Sequence, residues 1–385
     1  MTATFLGFER PDGQAGVRNW VGVLSVMDNV NPVARAICQN VYGTIPIMTL
    51  FVRGQYGRDL EISYNTLGGM GRNPNIAAVL VVSLEETSAE EVARRIRNSG
   101  KPVDVLLVQN SAGSIAATAE GIRKAANLVV AASRERRRAL PASMLSVGVE
   151  CGGSDTTSGL ASNPCIGRVS DRIVDEGGRV VISETSEFLG AEHLFAKRAI
   201  DDAVRQAFLE RVDRMEKEAL ARGVDIRGTN PVADNIRGGL TTIEEKSLGA
   251  AAKAGASPLV GVLDYGESMV RAGMHFMATP APAVESMTGL AAGGCQLILF
   301  STGVGNMIGN MIAPTIKVTA NINTARQQAD NIDVDVTAIL ESDRAIKDVG
   351  DELFDITLDI ASGTLTRSEI LDMRETAVSR FEPTI

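Results

Sequence analysis

Short runs of apolar and β-branched residues recur along the chain at Trp20–Val26, Ile45–Phe51, Ala78–Ser83, Val103–Gln109, Met144–Glu150, Arg179–Ser183, Pro258–Leu263, Gln296–Phe300 and Thr315–Thr319. Between many of them lie stretches rich in Ala, Glu and Arg with helical spacing, as in Ala89–Asn98 and Ile115–Ala132. This alternation predicts an α/β architecture of mostly parallel sheets with flanking helices, in two or three subdomains. The apolar stretch Ala78-Val-Leu-Val-Val82 has no polar face, the pattern of a strand covered on both sides. The longest helical pattern, Ala196–Arg222, is densely charged and ends in Arg222-Gly223, a basic residue and a glycine that together stop a helix.

The turn-rich stretch 229–239 places a boundary near residue 229, with a weaker one near Pro141. The expected division is an N-terminal α/β domain over 1–140, a central α/β segment over 141–228 and a C-terminal α/β domain over 229–385. No internal repeat or low-complexity tract is evident.

Composition narrows the function. With 385 residues, 44% hydrophobic and 22% charged, the chain has the make-up of an ordinary globular protein. A net charge of −9 argues against nucleic acid as the main partner, and 4% aromatic residues argue against base-stacking platforms. The basic run Arg134-Glu-Arg-Arg-Arg138 reads as a solvated helix end. Cys38, Cys151, Cys165 and Cys295 form no CxxC pair, and neither a signal peptide nor a membrane-length apolar span is recognisable. A cytoplasmic protein with free thiols and no membrane association is expected. Two histidines, His193 and His275, exclude a three-histidine zinc site within one chain.

Candidate chemistry gathers after strands. Cys151-Gly-Gly-Ser-Asp-Thr-Thr-Ser-Gly159 follows the apolar run Met144–Val149, where open α/β sheets place their ligands. It offers a thiol, the Asp155 carboxylate and the hydroxyls of Ser154, Thr156, Thr157 and Ser158 for an oxygen-rich anion; alternatively it only reverses the chain. Glu184 closes the strand Arg179–Ser183, well placed for acid–base work or metal ligation. His193 follows nearby, while Ser186 as a helix cap would leave Glu187 and Glu192 on a solvated face.

Gly303-Val-Gly-Asn-Met-Ile-Gly309 resembles a dinucleotide loop, but its spacing is GxGxxxG and Pro314 intervenes before a helix could form. What survives is an amide-rich loop, containing Asn306 and leading to Lys317, suited to carboxylate or phosphate oxygens. Lys246, in a helix opened by Thr241 or Thr242, could lie on the surface or reach an anionic substrate. Arg18, Arg53 and Arg58 sit in Gly-containing loops from which they could clamp a carboxylate, or remain surface arginines.

Seven ordered blocks carry a family resemblance: Gly13-Gln-Ala-Gly-Val-Arg-Asn19; Gly71-Arg-Asn-Pro-Asn75; Ser99-Gly-Lys-Pro102; Cys151-Gly-Gly-Ser-Asp155; Ser183-Glu-Thr-Ser-Glu187 with Gly190-Ala-Glu-His193; Gly238-Gly-Leu-Thr-Thr-Ile-Glu-Glu-Lys246; and Thr302-Gly-Val-Gly-Asn306 with Pro314-Thr-Ile-Lys317. Together they resemble the large catalytic region of the altronate/galactarate dehydratases over nearly the whole chain. The resemblance implies a lyase that removes water from a hydroxy or sugar acid, with the sulfolactate sulfo-lyases as a related branch. The stretches Asp155-Thr-Thr-Ser-Gly159 and Asn306-Met-Ile-Gly309 look closer to that branch. A non-catalytic family member is a third reading.

The resemblance also implies a divalent metal, Fe²⁺ in several members, with Cys151, Glu184 and His193 as candidate ligands. Glu184, His193, Lys246 and Lys317 are the candidate catalytic groups. Arg18, Arg53, Ser154, Asp155, Thr156, Thr157 and Asn306 are the candidate substrate-binding ones. Relatives usually carry a His-x-x-Gly-Cys-Gly-Gln segment after the second strand, whereas this region reads Thr49-Leu-Phe-Val-Arg-Gly-Gln-Tyr-Gly57, with neither His nor Cys. Single-chain relatives begin with a small SAF-type domain, so a separate small subunit is expected here, along with homo-oligomerisation.

Overall fold

A computed structural model describes residues 2–50 and 52–381 of the chain. The alternating pattern resolves into an α/β fold with two parallel sheets. The first contains β1 (Trp20–Ser25), β2 (Thr44–Ile47), β3 (Ile76–Ser83) and β4 (Val103–Leu107), in the order β2-β1-β3-β4. The second contains β5 (Ser146–Cys151), β6 (Arg179–Ile182), β7 (Leu259–Leu263), β8 (Gly273–Met277), β9 (Leu297–Ser301), β10 (Thr315–Thr319) and β11 (Val334–Asp335). Its order is β7-β8-β6-β5-β9-β10-β11, all parallel, with strands from both sides of residue 229. A small antiparallel sheet of Thr4–Glu9, Ala15–Gly16 and Arg138–Pro141 joins the chain's start to the crossing between them.

As the apolar pattern requires, β3 is buried along nearly all of its length. Phe51, the last residue of the run expected around β2, lies outside the described residues. Helices α1 (Asn31–Asn40), α2 (Gly57–Arg72), α3 (Glu86–Arg97) and α4 (Ser114–Ala132) flank the four-stranded sheet. One face of the seven-stranded sheet, through Val147, Val149, Leu297 and Leu299, packs on α5 (Asn163–Asp175) and on the helix Ile346–Ala361 near the C-terminus. The opposite face, through Val181, Ile298 and Phe300, shares a core with the first sheet by way of Leu67 and Met70 of α2 and of Met287 and Leu290.

The long charged helix starts later than its pattern suggests. It is α6 (Asp202–Ala221), because the Asp201 carboxylate accepts from Val204 N–H at 2.8 Å and caps it. Just before it, Ile200 N–H donates to Leu259 O, which ties the chain to β7 instead of letting it coil. Two further helices matter below, α7 (Ile243–Ala251) and α8 (Ala283–Ala292), the latter covering the Ile298 face together with α2. Among the described residues no helix is long and apolar enough to cross a membrane.

In a parallel sheet all carboxyl ends face one way. Cys151, Ser183, the loop after Met277 and Ser301 therefore meet at one edge. The strand order reverses around β5, with β6 on one side and β9 on the other, the switch point at which open α/β sheets hold ligands.

Candidate active site

Glu184 leaves β6 with φ 67 and ψ 70, a left-handed conformation that disfavours any side chain. Three contacts hold it there. Its N–H donates to Thr279 Oγ1 at 2.8 Å, its carbonyl accepts from Glu187 N–H at 2.9 Å, and its carboxyl accepts from Cys151 N–H at 3.1 Å. Strain fixed by several contacts at a sheet's carboxyl edge is the signature of a working group.

The turn that follows, Thr185–Phe188, folds Glu187 inward. Glu187 was expected on a solvated helix face; it is buried instead, because the backbone here turns tightly and Phe188 anchors it. Phe188 packs on Phe195, Phe208 and Phe276 with ring centroids 4.7–5.3 Å apart. Each such aromatic pair contributes on the order of 0.5–1.5 kcal/mol beyond its buried area.

The chemistry centres on a residue that the motifs passed over. Lys253 is fully buried, and its Nζ donates to Cys151 Sγ at 2.8 Å, Glu184 Oε2 at 3.0 Å and Glu187 Oε2 at 3.1 Å. The Cys151 thiol lies 3.2 Å from Glu187 Oε2, to which it donates. Lys253 stands in the run Gly249–Gly255, where every neighbour is Gly or Ala. A single charge in a stretch of small apolar residues was the available signal.

Behind Glu184 lies Glu150, the penultimate residue of β5, fully buried and facing α8. Its Oε2 accepts from Ser286 Oγ at 2.7 Å and Ser183 Oγ at 2.8 Å. Its Oε1 has no donor among the described N–H and O–H groups, and Glu184, within hydrogen-bond reach, supplies one when protonated. Burial pushes the Glu150 carboxyl up to about 7 against the pull of Lys253. Burial, and then the negative charges of Glu150 and Glu187, push Glu184 well above the carboxylate range. Burial would also raise Glu187, but the Lys253 and Lys246 charges hold it below its ordinary value. The Cys151 thiol is pushed well up by burial and by Glu187. Burial alone would discharge Lys253, yet the surrounding acidic groups keep it protonated. Burial thus favours the protonated forms of Glu150, Glu184 and Cys151, while the Lys253 ammonium favours the charged form of Glu187.

A cleft of about 730 Å³ lies beside this cluster, lined there by the residue that follows Glu184. Its floor includes Thr185 and Thr279, and its walls carry Arg72 of α2, Arg211 and Arg214 of α6, and Tyr265. Thr185 is buried with its Oγ1 unpaired. Arg211 pairs with Asp264 at 2.9 Å, whereas Arg214 is exposed and has no carboxylate partner among the described residues.

The other expected residues are placed differently. His193 is exposed on a short helix and is not part of the buried cluster, so Glu187 stands where it was expected. Arg18 is no substrate clamp, since its guanidinium is bound to Glu369 at 2.7 Å and to the carbonyls of Val17, Ile360 and Thr364. Arg53 is exposed, and Arg58 stacks on Phe381 at the cleft.

Asp155 accepts from Thr157 Oγ1, from Ser158 and, at 2.7 Å, from Asn321 Nδ2, while Thr156 Oγ1 donates to Gly238 O. Most hydroxyls of this loop thus fix the loop itself. Ser154 is buried, with its carbonyl accepting from Asn235 Nδ2. The amides of the Gly303 loop also turn inward, Gly303 and Val304 both donating to Gly153 O. Asn306 accepts from Ile308 N–H, and its amide lies over Gly152.

Lys246 Nζ donates to Asn230 Oδ1 at 2.9 Å, half-buried and near enough to Glu187 to act on its charge. Lys317 is buried in β10, separated from Glu150 by Phe300 in the sheet register, with Met373 Sδ 3.7 Å from its Nζ.

Among the described residues, Cys151, Glu184 and Glu187 are the group of side chains that could hold a metal, their donor atoms lying within 4.8 Å of one another. The donor set of one sulfur and two carboxylates suits a divalent transition metal by chemistry. It does not fit one in position, because Lys253 Nζ already contacts all three donor atoms.

Family models match most of the chain: D-galactarate dehydratase/altronate hydrolase, second domain, over residues 7–133, and D-galactarate/altronate dehydratase, C-terminal, over 142–384. The chain is 40% identical over 380 residues to the (2R)-sulfolactate sulfo-lyase subunit beta of Chromohalobacter salexigens, covering 98% of this chain and 97% of that one. It is 31% identical to the altronate dehydratase of Bacillus subtilis and 32% identical to that of Escherichia coli, spanning 78% of each. Matches of this extent, over a fold with the same ordered motifs, establish that the chain belongs to the galactarate/altronate dehydratase family of lyases.

Proposed function

We propose that the chain removes water from a hydroxy or sugar acid by β-elimination, giving a 2-keto acid. The observation that carries this reading is Glu184, strained, with its carboxyl pushed upward by burial, and one residue from the cleft at the switch point of the parallel sheet. The proton beside a carboxylate is weakly acidic, so the reaction needs a base whose pKa stands near the working pH and positive charge close by. Glu184, within hydrogen-bond reach of Glu150, takes the C2 proton. The C2–H electrons form the C2–C3 double bond, the C3–O bond breaks as the carboxyl pair returns a proton to the hydroxyl so that it leaves as water, and the resulting enol becomes the keto acid. Arg214 and Arg72 bind the substrate carboxylate in the cleft, and the unpaired Thr185 hydroxyl meets a substrate oxygen.

A second reading is favoured by the match over 97% of a sulfo-lyase subunit: the same proton abstraction with sulfite as the leaving group at C3. On either reading a small second subunit completes the enzyme in a homo-oligomeric assembly, as the word "subunit" in that relative's name suggests. A divalent cation such as Fe²⁺ would be held by Cys151, Glu184 and Glu187 only if Lys253 withdrew.

Incubation with sugar acids and sulfolactate, with and without the small subunit, tests the reading through keto-acid and sulfite release. Glu184→Gln is expected to lower kcat by roughly 10²–10⁴-fold with the fold retained, and Arg214→Ala to raise KM about tenfold. No product from any substrate, or full activity in Glu184→Gln, overturns it.

A further inference from the structure

We infer that the Lys253 ammonium permanently takes the place of the divalent cation that the family resemblance calls for, so that this chain holds no metal at Cys151, Glu184 and Glu187. The inference rests on the lyase reading for what the cluster is for, and on geometry for what occupies it.

Four observations converge. The Nζ atom lies 2.8, 3.0 and 3.1 Å from Sγ and the two Oε2 atoms. These are hydrogen-bond lengths, whereas metal–ligand bonds to sulfur and oxygen are about 2.0–2.3 Å. The three donors therefore converge on the ammonium, which fills the position between them.

Withdrawal of the lysine is blocked by its backbone. Lys253 O accepts from Ser170 Oγ at 2.7 Å, and a Cβ on Gly167 of α5 would lie 2.2 Å from Ala252 O. Helix and turn touch backbone to backbone, and Asp171 fixes the following turn through Ala256 N–H and Ser257 N–H at 2.9 Å. The whole Lys253 side chain is buried, with its head group among the three donors.

Charge points the same way. A dication added beside a buried ammonium that already contacts all three donor atoms would meet repulsion in a poorly screening interior. Finally, the 49–57 segment contributes neither His nor Cys. Lys253 is thus a positioning residue: it holds the Glu184 and Glu187 carboxyls and the Cys151 thiol in place without touching substrate.

The test is a Co²⁺ titration of the full-length wild-type protein and of Lys253→Ala, reading the thiolate-to-cobalt charge-transfer band, with metal content measured after desalting. Wild type is expected to show no band. Lys253→Ala, with the position vacated, is expected to bind one Co²⁺ with the band present, and Cys151→Ser in that background to lose it. A purely structural lysine would give no such gain. A band in the wild-type protein overturns the inference, and this arm does not depend on the variant folding. A folded Lys253→Ala without a band also overturns it.

Turnover separates this inference from the lyase reading. Activity of wild type that survives chelation supports both. Activity that appears only with bound iron at Cys151 overturns the inference and leaves the lyase reading standing. Absence of activity on all substrates, with the cobalt pattern as expected, removes the lyase reading while the inference holds.

Discussion

Thr279 Oγ1 accepts the backbone N–H of Glu184 at 2.8 Å, across 95 residues of sequence, and so props a carboxylic acid in a left-handed conformation at the edge of the sheet. The same hydroxyl donates to Ser286 Oγ at 3.0 Å, which in turn donates to Glu150. One threonine thus couples the position of Glu184 to the environment of the Glu150 carboxyl.

Thr279→Val keeps the shape and removes the acceptor. The buried Glu184 N–H is then unsatisfied, at a cost of about 1–3 kcal/mol. The urea midpoint should fall accordingly, and kcat with it, as Glu184 relaxes toward a right-handed backbone. Thr279→Ser should retain both. Equal stability of the valine and serine variants would remove Thr279 from this role.

Lys317 is a buried lysine without a carboxylate at ion-pair distance among the described residues, and burial lowers its pKa from 10.5 to about 8 despite Asp333. Between those values the unfolded chain binds a proton that the folded chain does not, so stability rises with pH across the window and the penalty is complete below about 8. Lys317→Met should therefore stabilise the protein by about 2–3 kcal/mol at neutral pH, a gain that fades as pH approaches 10.5. A costly, unpaired cation retained in a core signals function, and turnover should be lost in the same variant. Thermal melts at several pH values together with a rate assay check both halves.

Glu150 titrates in the opposite sense. Its pKa is raised from 4.5 to about 7, so between these values the folded chain holds a proton that the unfolded chain has lost. Its contribution to stability is full below 4.5 and is lost as pH rises through about 7, at up to about 1.4 kcal/mol per pH unit. Glu150→Gln should flatten that slope in denaturation curves recorded from about pH 5 to 8. In the wild-type protein kcat should rise through about pH 7, as Glu150 loses its proton and can accept that of Glu184, which frees the base.

Much of the fold was legible in sequence because its signals are local. A strand buried on both faces has to be apolar throughout, as at Ala78–Val82, and a strand's end is marked where small and polar residues begin, as at Cys151 and Glu184. Those two residues were placed at the carboxyl edge from pattern alone. Glu187 was misread because its direction depends on the left-handed turn at Glu184, and a helical reading of the same letters sends it outward. Arg18 read as a loop arginine, a carboxylate clamp or a surface group, because its partner Glu369 lies 351 residues away.

The sequence by itself determined the alternation of strands and helices, the loops in which chemistry could gather and, through seven ordered blocks, the family. Tertiary structure alone decided the site's composition. Lys253 and Cys151 are 102 residues apart and Lys253 and Glu184 are 69 apart, and nothing in the local hydrophobic pattern links them. They meet because parallel pairing of β5 and β6 aligns their carboxyl ends and α5 packs backbone to backbone on the turn that carries the lysine. Burial then sets the protonation of every group in the cluster, since the energy of a charge depends on the solvent and partners around it and not on its neighbours in the chain.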